Sequence, residues 1–253
     1  MLSRTIDQEI IPSLMRAHPN GAGSAEADRR TVATRDVEAF VQLVLGASSK
    51  PCRDFVTSIV ETSVPLETIF AELLVPAARH IGDLWMNDRC SFADVTIGVG
   101  RLQQLLSEYG SSFAPVTDDL EVGRVLLAPA PGEQHTFGLH VVAEFFRRDG
   151  WSVSTQFTPG RADLTTMVER EPFAMVGFSV SNSRLFEPLA QVIEDIREAS
   201  QNPDVVVMVG GAPDIGLEEA AEELGATTHA PDARWAVEYM QRHLEDGSRK
   251  RER

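Results

Sequence analysis

One histidine, His135, lies in a segment whose neighbouring residues could prepare it to bind a metal. The segment is Gly132-Glu133-Gln134-His135-Thr136-Phe137-Gly138, with an acid two residues before the histidine and a glycine three residues after it. An acid that accepts a hydrogen bond from one ring nitrogen fixes the tautomer and raises the basicity of the other nitrogen. Glycine lets the backbone pass close to a flat ligand. The pattern therefore predicts an axial metal ligand at His135, supported by Glu133 and Gly138.

The same residues also fit a simpler interpretation. In that interpretation His135 is a polar loop residue, and Glu133 helps to cap the helix that begins near Thr136. The position in the chain favours the ligand, because the segment follows the short apolar strand 124–129 and precedes an amphipathic helix that starts near Leu139. Such a strand-to-helix loop can hold a side chain out from a sheet.

The second half of the chain alternates strands with amphipathic helices. Runs such as Val205–Val209 are continuously apolar, which is typical of parallel strands covered on both faces. The predicted strands are Arg124–Pro129, Ser152–Gln156, Met175–Ser181, Val205–Gly210 and Thr227–Ala230, and the predicted helices cover 139–149, 162–170, 185–199, 214–224 and 232–244. Ligands of such sheets bind at the carboxyl ends of the strands, where His135 falls.

Two other strand ends carry small residues. Ser179 and Ser181 close the third strand, and Gly210 and Gly211 follow the fourth. Small residues there leave a channel between sheet and helix, and a serine hydroxyl can donate to a buried nitrogen or carbonyl. Short loops also use Gly and Ser simply to turn. Three such loops at one edge of the sheet favour a binding site.

The first half of the chain contains four helical patterns, which together predict a small bundle. The first covers 36–45, and the second is predicted to begin at the cap Ser49. The third covers 66–86, with Pro76 as an interior kink. The fourth begins at a capping box, Ser91 to Asp94, and runs to about residue 109.

These elements predict an α/β fold, in which an N-terminal helical bundle cap precedes a Rossmann-like (flavodoxin-like), doubly wound, five-stranded parallel sheet. The predicted organisation is an N-terminal arm and flexible linker at 1–35, the cap at 36–110, a linker at 111–121, the Rossmann-like domain at 122–245 and a polar tail at 246–253. Within the arm, residues 5–17 could form an amphipathic helix that either docks or binds a partner.

The composition of the chain argues against several classes of function. A net charge of −15 and a pI near 4.8 oppose direct binding to nucleic acid, whose phosphates would be repelled. Two cysteines make neither a disulfide framework nor a metal cluster, which indicates a reducing cytoplasm. No signal peptide and no apolar run of about 20 residues is present in the sequence, so we expect no membrane association.

The order of elements and three motifs resembles the cobalamin-binding family, which joins a helical cap to a Rossmann-like domain. That family's pattern is Asp-x-His-x-x-Gly, then Ser-x-Leu or a close variant, then Gly-Gly; in this chain it reads Glu133–Gly138, Ser179–Ser181 and Gly210–Gly211. The resemblance covers about 36–245 and implies that His135 is the lower axial ligand of cobalt. It also implies that the dimethylbenzimidazole tail enters the channel lined by the serines and the glycine pair.

The cap carries a second resemblance. Gly82-Asp83-Leu84-Trp85 looks like the cap segment whose tryptophan covers the upper face of the corrin. A tryptophan at a helix end also fits a plain core position. Related photoreceptors carry a Glu-His pair where this chain has Val95 and Thr96, so their upper histidine is missing. His80 and His140 are the histidines to test as its replacement.

The segments 88–98 and 131–136 look most like the AerR/PpaA group, the short-cap antirepressors of photosynthesis genes in purple bacteria. This resemblance implies a cytoplasmic regulator, not an enzyme, that binds adenosyl-, methyl- or hydroxocobalamin. It further implies a response to light through loss of the upper alkyl ligand, and contact with a CrtJ/PpsR-type repressor. Two alternatives stay open: a haem-binding redox sensor, since one histidine does not choose between the macrocycles, and a corrinoid methyl carrier of a methyltransferase system.

Overall fold

The computed structural model describes residues 32–111, 122–157 and 160–251. The predicted arm helix at 5–17 and nearly all of both predicted linkers lie outside these residues. The first half of the chain forms α1 (Thr34–Val44), α2 (Lys50–Val60), α3 (Leu66–Ile69), a π-helical segment (Phe70–Leu74), α4 (Val75–Met86) and α5 (Phe92–Ser111).

Local side-chain chemistry explains where α5 begins, but one predicted cap was wrong. The backbone N–H of Ser91 donates to Asp94 Oδ2 at 2.9 Å, and the N–H of Asp94 donates to Ser91 Oγ at 3.2 Å, which is the predicted capping box. Ser49 precedes α2 but makes no side-chain cap bond. Its backbone is already helical, with φ −79° and ψ −19°, whereas a capping serine needs an extended backbone to reach the next turn.

The predicted interruption at Pro76 takes the form of the π-helical segment one turn earlier. Proline has no N–H and its ring crowds the carbonyl four residues back, so a regular helix cannot pass through it unchanged. Just before Pro76, the N–H of Val75 bonds to the carbonyl of Phe70, five residues back. A wider turn of this kind is a common place for a helix to absorb such a mismatch.

The second half of the chain forms a five-stranded sheet in which every pair of neighbours is parallel. Its strands are β1 (Arg124–Pro129), β2 (Ser152–Thr155), β3 (Met175–Val180), β4 (Val206–Gly211) and β5 (Thr228–His229). They are ordered β2-β1-β3-β4-β5. The order confirms the predicted flavodoxin-like fold.

The helices that follow the strands are α6 (Phe137–Arg148), α7 (Arg161–Arg170), α8 (Phe186–Ala199), α9 (Leu217–Ala220) and α10 (Ala233–Arg251), with a short 3₁₀ turn at Ser183–Leu185. Helix α9 is shorter than the predicted 214–224, and it begins only at Leu217 because Gly216 before it has φ 70°, which is not a helical conformation. Helix α10 continues to Arg251, so much of the predicted polar tail is helical.

The two faces of the sheet belong to two hydrophobic cores, as expected for a doubly wound fold. Alternate residues such as Val125 and Leu127 pack with α6, α10 and the cap helices. Their neighbours Leu126 and Ala128 pack with α7 and α8. The alternation follows from the two-residue period of a strand and explains why the strands are apolar throughout.

The cap helices and α6 share one core and are also joined by an ion pair. The Arg148 guanidinium at the end of α6 lies 2.7 Å from the Glu67 carboxylate on α3. Within the described ranges, no helix is both long enough and apolar enough to span a bilayer.

Candidate functional site

The predicted site lies where β1 and β3 run side by side. Pro129 is in register with Ser179, and the N–H of Ala130 donates to the carbonyl of Ser179 at 2.8 Å. The chain leaves β1 toward β2 on one side and leaves β3 toward β4 on the other, so a crevice opens between the two strand ends. The His135 loop and Ser181 both stand at this crevice.

Glu133 organises the His135 loop from the inside. Its side chain is only 2% exposed, while that of His135 is 77% exposed. Glu133 Oε1 accepts the backbone N–H groups of Gln134 and His135, each at 2.7 Å, and lies 2.7 Å from Nδ1 of His135. The carboxylate therefore fixes both the backbone of the loop and one nitrogen of the ring, a role quite different from capping α6.

The second oxygen of this carboxylate is held by the neighbouring strand. The backbone N–H of Ser181 donates to Glu133 Oε2 at 2.6 Å. Burial by itself would raise the pKa of the Glu133 carboxyl, but the hydrogen bonds from Ser181 and His135 outweigh it and lower that pKa below its ordinary value of 4.5. Glu133 is thus a carboxylate at neutral pH and acts as the acceptor for Nδ1–H.

The remaining ring nitrogen of His135 is available to a ligand. Nδ1 faces Glu133 and also lies 3.1 Å from Ser181 Oγ. Among the residues that the structure describes, Nε2 has no hydrogen-bond partner. With the proton held on Nδ1, Nε2 carries the lone pair, which is the arrangement that a metal-binding imidazole requires.

A cleft of about 400 Å³ opens beside this loop, on the face of the sheet that α6 and α10 cover. It is lined by the following residues of the sheet, α6, the start of α10 and the cap: Ala71, Val75, Arg79, Leu127, Gly138, Leu139, Val141, Val142, Met175, Gly177, Phe178, Ser179, Met208, Gly210, Gly211, Ala230, Pro231, Asp232, Ala233 and Ala236. Four of the eight predicted cofactor-binding residues line this cleft, namely Gly138, Ser179, Gly210 and Gly211.

The glycines of the site serve two different purposes. A Cβ on Gly138 would meet nothing within 4 Å, so it would project into open space at the cleft. A Cβ on Gly211 would lie 1.7 Å from the carbonyl oxygen of Val180, which no side chain can tolerate. Gly211 is therefore needed for β3 and β4 to pair as far as Val180. Gly138, by contrast, leaves space in the cleft that a side chain would fill.

Ser179 presents an unsatisfied hydroxyl to the cleft. Its Oγ is buried and has no hydrogen-bond partner among the described residues. A buried hydroxyl without a partner costs stability, so its presence is best explained by a ligand that completes the bond. Ser181 has a different role, because its hydroxyl and its N–H both face the Glu133 and His135 pair.

Trp85 lies at the end of α4 and is 45% exposed, so the alternative of a plain core position was wrong. It belongs to a group of exposed apolar residues on the cap, which we call the cap patch: Trp85, Met86, Phe92 and Ile97. The patch stands at the turn that connects α4 to α5.

Sequence reasoning missed the contribution of the cap to the cleft. Ala71, Val75 and Arg79 line it from the π-helical segment and α4. Their four-residue spacing on one helix face was a usable signal, but nothing in the sequence aims that face at the sheet. The ring of His140 is held in place, because its Nδ1 lies 2.8 Å from the carbonyl of Thr136 and its centroid lies 4.0 Å from that of Phe157.

Comparison with known proteins identifies the family. The profile of the B12 binding domain matches residues 123–237, which include β1, β3, β4 and the His135 loop. An uncharacterized 20.5 kDa protein of Rhodobacter capsulatus, from the bchF-crtJ intergenic region, is 34% identical over 164 residues, 64% of this chain and 85% of that protein. The chain belongs to the B12-binding domain family.

Two corrinoid proteins share more of the length of this B12-binding protein at lower identity. Dimethylamine corrinoid protein 3 of Methanosarcina acetivorans is 23% identical over 207 residues, 80% of this chain and 95% of that protein. The structure of the Methanosarcina barkeri monomethylamine corrinoid protein superposes with a TM-score of 0.68 at 14% identity, over 82% of this chain and 98% of that one. The second likeness establishes the shared fold.

The residues of this B12-binding protein fit the cofactor that the family name implies. An exposed Nε2 suits cobalt, and the apolar cleft with one unsatisfied hydroxyl suits a flat heteroaromatic base with a hydrogen-bond acceptor. Glutamate in place of the usual aspartate does not break the pattern, because Glu133 still reaches Nδ1 of His135 at 2.7 Å.

Proposed function

We propose that the chain is a cobalamin-binding, light-responsive transcriptional regulator, an antirepressor that works in the cytoplasm through a CrtJ/PpsR-type repressor. In this proposal the chain carries its cofactor and catalyses no reaction. The observation that carries the cofactor assignment is the buried Glu133 carboxylate, which leaves Nε2 of the exposed His135 free at the edge of the sheet. The R. capsulatus relative supports the regulatory role through its place beside crtJ.

Each residue has a defined task in this proposal. His135 provides the lower axial nitrogen, Glu133 keeps the proton on Nδ1, and Ser181 keeps Glu133 in place. Ser179 donates its buried hydroxyl to the base of the nucleotide tail. Bound alkylcobalamin supplies a cobalt–carbon bond that visible light breaks. The apolar cleft supports cobalamin over haem, because haem has no nucleotide tail to fill it.

The cap provides a route from the site to a partner. Val75 and Arg79 line the cleft, and the same helix α4 ends at Trp85 and Met86 in the cap patch. A change at the cofactor that moves α4 therefore also moves an exposed apolar surface. Apolar surface of this kind is typical of protein–protein contact, so we place the repressor contact at the cap patch.

The test is a binding experiment with light as the variable. The full chain is loaded in the dark with adenosyl- or methylcobalamin, and its affinity for a CrtJ/PpsR-type repressor is measured before and after illumination. We expect the affinity to change on illumination in the alkylcobalamin samples and to stay constant in a sample loaded with hydroxocobalamin. Equal affinities before and after illumination in all samples would contradict the proposal.

A corrinoid methyl carrier is the second candidate, favoured by the likeness to the two Methanosarcina corrinoid proteins. A carrier has to give up the methyl group to another protein, whereas a light sensor does not. Methylcobalamin-loaded chain that transfers its methyl group to an added methyltransferase in the dark, and shows no light-dependent binding, would favour the carrier. The haem alternative is tested by absorption spectroscopy, because bound haem has an absorption spectrum of its own.

A further inference from the structure

The cleft beside the His135 loop has a charged residue at its mouth that the family motifs do not include. Arg79, on the cap helix α4, lines the cleft and is exposed to solvent. Ser179 lines the same cleft from the sheet, with a hydroxyl that is fully buried. The lining of the cleft thus includes a buried hydroxyl on the sheet and an exposed arginine on the cap.

Arg79 is a cation that has no partner among the described residues of this acidic chain. Within the described part of the chain it forms no ion pair and no hydrogen bond, although the net charge of the protein is −15. Among the described residues, Asp232 is the other charged residue that lines the cleft. Exposed Arg161 has Asp195 beside it, whereas exposed Arg170, which lies away from the cleft, has no ion pair among the described residues.

We infer that Arg79 binds the phosphodiester of the cobalamin nucleotide tail and makes the chain select corrinoids with a complete tail. The inference rests on the cofactor assignment proposed above. The base of the tail is uncharged and suits the apolar depth of the cleft, and the phosphodiester that follows it carries one negative charge. The planar guanidinium offers paired N–H donors, which match two phosphate oxygens.

This contact would tie the tail to the cap. The other groups that hold the cofactor, His135 and Ser179, lie on the sheet side, whereas Arg79 lies on α4. A tail held at both ends fixes α4 over the cleft, and α4 leads directly to Trp85. Corrinoid binding therefore positions the cap through a contact other than the corrin face.

The experiment compares two corrinoids and four variants of the full chain. Affinities for hydroxocobalamin and for cobinamide, which lacks the nucleotide, are measured by absorbance titration of the wild type, Arg79→Gln, Arg79→Lys and Ser179→Ala. Arg170→Gln is the matched control, because it removes the same charge from an exposed residue of α7, on the opposite face of the sheet. The titrations are repeated at low and high salt.

We expect Arg79→Gln to lower the affinity for hydroxocobalamin about fivefold to tenfold, as for the loss of a charge-assisted hydrogen bond at a partly exposed site. The affinity for cobinamide should stay unchanged. Arg79→Lys should recover part of the loss. Wild-type affinity for hydroxocobalamin should fall as salt rises, and that salt dependence should be reduced in Arg79→Gln but kept in Ser179→Ala. Arg170→Gln should behave as the wild type.

Three results separate this inference from the cofactor assignment. A wild type that binds neither corrinoid would overturn the proposed function itself. A wild type that binds hydroxocobalamin, together with an Arg79→Gln variant of equal affinity and equal salt dependence, would overturn only the role of Arg79. An equal loss for both corrinoids in Arg79→Gln would also overturn it, because cobinamide has no nucleotide phosphodiester.

Discussion

The backbone N–H of Ser181 holds the side chain of Glu133 in place by donating a hydrogen bond to Oε2 at 2.6 Å. The two residues are 48 positions apart in the chain and meet because β1 and β3 are neighbours in the sheet. The other oxygen of the same carboxylate lies 2.7 Å from Nδ1 of His135. The orientation of the imidazole thus depends on the pairing of two strands, and not only on the loop that carries it.

Glu133→Gln tests this chain of contacts. The amide keeps the size of the side chain but removes the negative charge of the carboxylate. That carboxylate accepts hydrogen bonds from three backbone N–H groups and from Nδ1–H of His135. We expect corrinoid affinity to fall about 10- to 100-fold, as for other residues that orient a metal-bound histidine. We also expect the unfolding free energy to drop by about 1–3 kcal/mol, the range for buried hydrogen bonds to a charged group. Glu198→Gln, an exposed change on α8, is the control for both measurements.

The lowered pKa of the Glu133 carboxyl predicts how stability depends on pH. Between its folded pKa and 4.5, the ordinary value that applies to the unfolded chain, the unfolded state binds more protons. The contribution of Glu133 is therefore complete above pH 4.5 and is lost as the pH falls through the lower, folded pKa. Urea unfolding of the wild type and Glu133→Gln should show a difference in free energy that shrinks on acidification. A difference that is constant down to acid pH would contradict this role.

Ser179→Ala should separate binding from stability. The Ser179 hydroxyl is buried without a partner, so its removal should leave the unfolding free energy of the free protein unchanged or slightly higher. Cobalamin affinity should fall by about threefold to tenfold, the value of one hydrogen bond. Thermal unfolding and absorbance titration of the same samples measure the two effects. A clear loss of stability in the free protein would show that the hydroxyl has a structural partner after all.

The glycines provide an opposite pair of outcomes. Gly138→Leu adds a side chain where nothing lies within 4 Å, so the protein should keep its stability while the filled cleft loses cobalamin. Gly211→Ala places a Cβ 1.7 Å from the Val180 carbonyl oxygen, so the variant should lose about 1–3 kcal/mol of stability through strain between β3 and β4. Circular dichroism melts and titrations of both variants should show this contrast, and a destabilised Gly138→Leu would refute it.

Much of the fold follows from sequence pattern, because the continuously apolar run Val125–Ala128 and the capping box at Ser91 are local signals. The location of the candidate site could also be predicted from the sequence, since parallel strands bring their carboxyl ends to one edge of the sheet. The part that sequence could not supply depends on contacts between distant elements. Arg79 lines the cleft only because of how the cap packs on α6, and β4 extends to Gly211 only because Val180 pairs with it.

Trp85 shows the same limit. Its position at the end of an amphipathic helix fits a buried and an exposed side chain equally well, and the choice depends on the turn that leads into α5. Ser49 shows a limit of a different kind, because the residue type suits a cap but the backbone before Pro51 is already helical.

The most direct test of the central claim is electron paramagnetic resonance of the cob(II)alamin-loaded chain, made once with natural histidine and once with histidine labelled with ¹⁵N. If Nε2 of His135 is the axial ligand, the triplet splitting from ¹⁴N should become a doublet in the labelled protein, and His135→Ala should lose this coupling. A triplet that persists in the labelled protein would mean that the nitrogen on cobalt comes from the cofactor's own base, and it would contradict the account.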